Sequence, residues 1–258
     1  MTQVTLKRAD LSAFLSSFGP GVEDLRLDVK DSSLVGGVAL ATHFITKSLS
    51  VDTNTTSTGG GIVIADLSKV LKFLRACTDD SVTLEQDISD NRTGPLKLTS
   101  GNSTISLPAT STVRSAQSLA LASKLVNEAG ESNWESFGDS VLGGYGVINL
   151  KDLSQVAALG SVVGNDKPYQ FTVVPDTKEG VIHTGTTVSG QMFHKFHVQD
   201  IACDDVTKTQ FGPWFPEVLS CLPSGTAEVY YGDDSVLVFN HKEKQCLLVI
   251  VNQDKDDE

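Results

Sequence analysis

Four groupings of side chains in this sequence have types and spacing that chemistry could use. Lys69, Lys72 and Arg75 recur every third residue beside Leu67, Val70, Leu71 and Leu74. On a helix that spacing drifts slowly around the axis, so the three cations form one basic stripe opposite an apolar one. Such a stripe can hold phosphates electrostatically without reading bases, although a merely solvated face of an amphipathic helix has the same look. Gly138-Asp139-Ser140, within Phe137–Val141, sets a serine in a Gly-rich turn. A serine nucleophile needs an oriented base, and none of the 5 histidines has an aspartate three residues before it, so no triad assembles from spacing. His194 and His197 would share one face of a helix as metal ligands, but Met192–Val198 alternates like a strand, where i and i+3 point apart. Gly59-Gly60-Gly61 lacks the Gly-Lys-Ser/Thr of a phosphate loop and reads as the start of a strand or hairpin. The expectation is a protein that is not an enzyme and holds no cofactor and no metal.

The surrounding composition is that of a globular chain: 258 residues, 40% hydrophobic and 20% charged. The net charge is -12 with a sequence pI near 4.8, which argues against a protein that wraps itself in nucleic acid. A basic stripe inside an acidic chain is still compatible with phosphate contact, because charges are screened beyond about 8 Å at physiological salt. No run approaches the roughly 18–20 apolar residues that span a bilayer, and Met1–Asp10 lacks a signal-peptide core. The sequence therefore points to a cytoplasmic protein with no membrane partner. Cys77, Cys203, Cys221 and Cys246 are far apart, without a C-x-x-C pair, and are expected to be reduced thiols.

The elements that must position the stripe are mostly short strands of alternating polarity, among them Val22–Lys30, Val38–Val51, Tyr169–Val174 and Met192–Val198. Four helices interrupt them. Asp10 is expected to cap the first, with Leu11, Phe14, Leu15 and Phe18 inward and Gly19-Pro20-Gly21 as its stop. Asp66 caps the second, which carries the stripe. Asp152 is expected to cap the third, with Leu153, Val156, Ala157 and Val163 inward, and Pro213 and Pro216 open a fourth that runs to about Leu222. Each half thus reads strand, helix, three strands, helix, three strands. Leu6-Lys7 leads into Asp10-Leu11-Ser12 as Leu150-Lys151 leads into Asp152-Leu153-Ser154, and Val70-Leu71 has its counterpart in Val218-Leu219. The order indicates an internal duplication: an α+β chain of two domains, 1–108 and 145–258, each with two helices on antiparallel sheet. Residues 109–144 form a connector with a helix-like part at 116–128, and an acidic tail closes the sequence.

In this order of elements the sequence resembles the DNA sliding-clamp family, of the proliferating-cell clamp and T-even phage polymerase clamp type. The resemblance is carried by Ile64–Arg75 (IADLSKVLKFLR) with Thr78–Leu84 (TDDSVTL), by Thr104–Ala109 (TISLPA), and by Leu247–Asn252 with the tail Asp254–Glu258. Two features depart from the family pattern: a longer connector, and a fourth helix without a basic residue.

The resemblance implies a duplicated clamp fold and a non-catalytic processivity factor, a viral or phage polymerase accessory protein in type. It implies a ring of three chains around duplex DNA, with a DNA polymerase and a clamp loader as partners at the host's nucleoid or nuclear replication site. Lys7, Arg8, Lys69, Lys72, Arg75, Lys151 and Lys167 would face DNA. Phe44, Ile45, Leu119, Leu121, Val249, Ile250 and Val251 would frame a pocket for partner peptides on the outer face. Thr104, Ile105 and Leu107 of one chain would pair with the strand bearing Phe193 and Phe196 in the next. The competing reading is a structural or assembly protein, such as a virion or scaffold subunit, built from duplicated β-rich domains.

Overall fold

A computed structural model of the chain describes residues 1–30, 32–51, 61–89, 92–109, 116–121, 135–137, 139–164, 166–188 and 190–252. Gly59, Gly60, Gly138, most of the connector including Ala122 and Leu125, and the acidic tail lie outside the described residues. Contacts divide the chain into two compact units: Met1–Ala39 with Ile45–Val126, and Leu40–Phe44 with Asn127–Glu258.

The first unit contains β1 (Thr2–Lys7), α1 (Arg8–Ser16), β2 (Leu25–Lys30), β3 (Ser33–Ala39), β4 (His43–Ser50) from Ile45 onward, β5 (Gly61–Ile64), α2 (Leu67–Ala76), β6 (Ser81–Gln86), the small hairpin β7 (Ile88–Ser89) and β8 (Arg92–Thr93), β9 (Leu96–Ser100) and β10 (Ser103–Leu107). A helical stretch at 116–121, α3, follows. One sheet has the order β1-β6-β9-β10, and β2 pairs with both β3 and β5 in another. Alternation along β1, β6 and β9 turns Val4, Leu6, Val82, Leu84 and Leu98 onto the face that packs under the helices, where they are buried with Leu11, Leu15, Val70 and Leu74. Phe14 and Phe18 meet edge to face, with centroids 5.1 Å apart. Gly36 lets the Phe18 ring lie on the backbone, since a Cβ there would stand 2.5 Å from Phe18 Cζ. The buried amide of Gln86 stitches β6 to β5: its Oε1 accepts the Val63 N–H at 2.7 Å, and its Nε2 donates to the carbonyls of Val63 and Gly94.

The second unit contains β11 (Ser136–Phe137), β12 (Ser140–Val141), β13 (Gly144–Asn149), α4 (Leu150–Leu153), α5 (Val156–Val163), β14 (Tyr169–Val174), β15 (Glu179–Thr186), β16 (Gly190–Ala202), β17 (Thr207–Phe211), α6 (Phe215–Leu219), β18 (Thr226–Tyr231), β19 (Leu237–His241) and β20 (Cys246–Ile250). β11 and β12 pair with each other, the other strands lie in the order β17-β14-β15-β16-β13-β18-β19-β20, and those with a described register pair antiparallel. Phe171 lies between Phe196 and Tyr231, with centroids 5.8 and 6.2 Å away, and Phe211 stacks on Phe215 at 4.6 Å.

The fold is α+β with extended antiparallel sheets, as the sequence indicates, but the details differ in three ways. Four strands, not three, separate the helices of each unit: the expected strand Val38–Val51 is interrupted between β3, which ends at Ala39, and β4, and the polar segment Thr207–Phe211 is a strand, β17. The first helix begins at Arg8, directly after β1, so Asp10 lies inside its first turn and does not cap it. The third helix is two pieces. Asn149, not Asp152, caps α4 by accepting the Lys151 N–H at 3.1 Å, and the chain restarts as α5 after Gln155, with Ala157 exposed.

Candidate nucleic-acid interface

Helix α2 is built as its sequence suggests. Asp66 caps it, accepting the Lys69 N–H at 3.0 Å and the Ser68 hydroxyl at 2.8 Å. Leu67, Val70 and Leu74 are buried, while Lys69, Lys72 and Arg75 are exposed along the opposite side. The three cations are not equivalent. Lys69 Nζ lies 2.8 Å from Asp66 Oδ2, and its hydrogen bond, with those of Ser68 and the Lys69 backbone, holds the Asp66 carboxyl well below the ordinary carboxylate range. Lys72 and Arg75 have no ion-pair partner among the described residues. They are the two uncommitted charges of the stripe.

Arg8 serves a different purpose. Its Nε donates to the Asp79 carbonyl at 2.8 Å and its Nη1 to the Leu74 carbonyl at 3.0 Å, while its backbone N–H donates to Asp80 O at 2.7 Å. The guanidinium thus closes the C-terminal end of α2, where carbonyls lack helical partners and the helix dipole favours a cation. Lys47, which is buried, donates to Ser17 O at the end of α1. Lys7 is exposed at the end of β1, opposite Ser81.

The second unit presents few cations on its helices. Lys151 is exposed on α4; Lys167 lies beyond α5 and pairs with Asp166 at 3.2 Å, lowering that carboxyl. Helix α5 has no charged residue and leaves Val162 82% exposed.

The strands expected to join neighbouring chains present two open edges. β10 ends its sheet, with Thr104 exposed and Ile105 and Leu107 half-buried. β16 pairs with β15 throughout Gly190–His197, but β13 meets it only at Val198, Gln199 and Ala202. Its stretch 190–197 therefore has one side without a strand partner among the described residues. Phe193 is 60% exposed and stacks on His183 at 4.4 Å, whereas Phe196 is buried against Phe171. His194 and His197 do fall on opposite faces. The His194 ring meets the Asp152 carbonyl, and His197 faces solvent.

The residues expected to receive a partner peptide divide by burial. Ile45, Leu119, Val249 and Ile250 are buried, Phe44 and Val251 are half-buried, and Leu121 is exposed. In the second unit the Val251 N–H donates to Thr42 O, and the Phe44 ring lies 5.8 Å from that of Phe137. Phe137, which the sequence places only in a Gly-Asp-Ser turn, is the aromatic neighbour that spacing did not reveal. No hydrogen bond joins Ser140 to a histidine among the described residues.

No family profile matches the sequence, and no curated protein sequence does. Solved structures do. A putative DNA polymerase III beta subunit from Eubacterium rectale aligns over 98% of this chain with a TM-score of 0.69 at 11% identity. The fold is that of the sliding clamps. Proliferating cellular nuclear antigen from Entamoeba histolytica aligns with a TM-score of 0.68 at 12% identity, covering 98% of this chain and 99% of that one. The Helicobacter pylori beta clamp bound to a DNA ligase peptide gives 0.66 at 12% identity. The chain spans 65% of the length of the Eubacterium rectale subunit and 66% of the Helicobacter pylori clamp. Within the described residues of this clamp fold no helix is long and apolar enough to cross a membrane, and no cluster of three or more His, Cys, Asp or Glu side chains is placed to hold a metal.

Proposed function

We propose that the chain is a sliding clamp, a processivity factor that encircles duplex DNA as a ring of three copies and tethers a replicative polymerase after loading. The observation that carries this reading is coverage. The alignment with a nuclear-antigen clamp chain covers 98% of this chain and 99% of that one. The element order supports a duplication: strand, helix, four strands, helix, then β6, β9 and β10 with the β7–β8 hairpin between them in the first unit, and in the second strand, a split helix, four strands, helix, three strands, with no counterpart of the hairpin among the described residues. The sheet orders agree as well, since β13-β18-β19-β20 repeats β1-β6-β9-β10.

On this reading α2 supplies sequence-neutral phosphate contacts through Lys72 and Arg75, with Lys7, Lys69 and Lys151 as lesser contributors. Arg8 and Lys167 act mainly within the chain. The open edges of β10 and β16 join neighbouring copies head to tail, a heterologous contact that closes as a ring. Phe44, Phe137 and Val251 would help to capture a partner peptide; the Helicobacter pylori clamp of similar fold is bound to a DNA ligase peptide. The protein would work where DNA is replicated. Primer extension with a loader and polymerase tests the reading: long products that require the protein, and images of a ring with a central hole, are expected. A solid particle, or product lengths unchanged by the protein, would refute it.

A further inference from the structure

We infer that Phe137 is a built-in competitor for the partner-peptide site: in the free chain its ring occupies the place on Phe44 that an aromatic side chain of a partner takes on binding. This rests on the peptide-capture reading above, and it makes Phe137's part in capture that of a cover which must lift.

The contact joins residues distant in sequence and is lightly held. The two rings are tilted at 53° with centroids 5.8 Å apart, and both are half-buried. Phe137 belongs to β11, which pairs only with β12 among the described residues, so no ladder to the main sheet holds it against Phe44. A two-stranded hairpin by itself is marginally stable in water. Its base is fixed: Leu142 is buried, and its N–H donates to the Glu135 carbonyl at 2.9 Å. Beyond that base the hairpin turns little of itself to the protein. Ser136 and Asp139 are exposed, Val141 is 69% exposed, and Ser140 is half-buried like Phe137. The ring pairs that build the core of this unit differ, since Phe211 with Phe215 and Phe171 with Tyr231 join fully buried rings.

The hairpin backbone rests on Gly232. A Cβ there would lie 2.1 Å from the Val141 carbonyl oxygen and 3.0 Å from Ser235 Cβ. Gly232 itself is held from the other side, where its carbonyl accepts the Thr209 hydroxyl at 2.8 Å. A side chain at 232 would therefore displace the hairpin before it moved the floor beneath. The bare glycine lets the cover settle, and the ring it carries defines what the surface accepts: a phenyl group laid against Phe44. Val251 is tied to the same segment, its N–H donating to Thr42 O at 3.0 Å, two residues before Phe44. A partner's aromatic ring regains the contact that Phe137 gives up, so the cost of exchange is the lifting of a weakly held hairpin. A covered site lowers apparent affinity by the fraction of chains in which it stands open. One aromatic pair shifts that balance by roughly two- to tenfold.

Anisotropy of a fluorescein-labelled synthetic peptide with two adjacent phenylalanines, against the same peptide with alanines in their place, tests the cover on the full chain. Phe137→Ala should bind the phenylalanine peptide about two- to tenfold more tightly than the unaltered protein. Gly232→Ala keeps both rings but pushes the hairpin away, and should tighten binding in the same direction. Phe44→Ala should remove the preference for phenylalanine, alone or combined with Phe137→Ala. Circular dichroism melts check that each variant folds. Unchanged or weaker binding by Phe137→Ala, with the unaltered chain still preferring the phenylalanine peptide, would overturn the cover and leave the capture reading standing. No preference for the phenylalanine peptide in any form of the chain would overturn the capture reading, and the cover with it.

Discussion

Replacing Lys72 and Arg75 together by alanine is the sharpest test of the proposed DNA contact. Both side chains are exposed on α2, and Leu67, Val70 and Leu74 on its buried side are untouched. Alanine is the best helix former, so the variant should fold normally. Each phosphate contact contributes about 0.9 to the slope of log affinity against log salt, so losing two lowers the slope by about 1.8. Between about 50 and 200 mM salt, that difference makes the loss of affinity roughly 12-fold smaller than for the unaltered protein. Lys69→Ala should do less, because Asp66 already holds Lys69 at 2.8 Å and the substitution removes a charge that is half-neutralised. Replacing Lys151 and Lys167 should lower the slope by at most about 0.9, since Lys167 is held by Asp166 and α5 offers no charge. Fluorescence anisotropy of a short labelled duplex over a salt series reads all three. A steep slope that persists in the Lys72/Arg75 variant, or a Lys69 variant that matches it, would refute the assignment of phosphate contact to the free end of the stripe.

Arg8→Ala should destabilise the chain by about 2 kcal/mol in urea unfolding, because two hydrogen bonds from a charged donor are lost, one to the end of α2 and one to the loop after it; its salt slope on DNA should stay near that of the unaltered protein. Gln86→Ala strands the buried Val63 N–H and should cost about 1–3 kcal/mol by the same measurement. Asp66→Asn tests the cap by pH. A carboxyl held below its ordinary range stabilises the fold above its unfolded value and loses that contribution only as pH falls through the lowered one. The unaltered protein should therefore be more stable than the Asn variant at neutral pH and converge with it in strong acid, read by hydrogen exchange in α2. Parallel curves at all pH values would exclude the cap's charge as the cause.

Helix faces were legible in the sequence because a 3.6-residue repeat is a local property. Leu11, Phe14 and Leu15 on one helix, and Leu67, Val70 and Leu74 on another, are buried as their spacing indicates, while Phe18 is buried just beyond the end of α1. So is the basic stripe, since the residues that do not face the core must face away from it. Helix starts were less legible, because they depend on where the preceding strand stops. β1 remains paired to β6 through Lys7, and β13 to β18 through Asn149, so the helices begin there and not after the aspartates at 10 and 152. β17 is not legible in the sequence because Thr-Lys-Thr-Gln-Phe is too polar to look like a strand; pairing with β14 and burial of Thr209 and Phe211 make it one.

What each charge does was not legible at all. Residue type marks Arg8, Lys69 and Lys72 as equals, and their positions along the chain do not separate them. Arg8 becomes a helix clamp because the end of α2 lies beside it across 66 residues of sequence, Lys69 is claimed by the cap of its own helix, and Lys72 is left to solvent. The open stretch of β16 is decided the same way, by where β13 stops pairing with it. Hydrophobic period is written residue by residue, but the partner of a charge or of a strand edge is set by long-range approach, and that exists only in the folded chain.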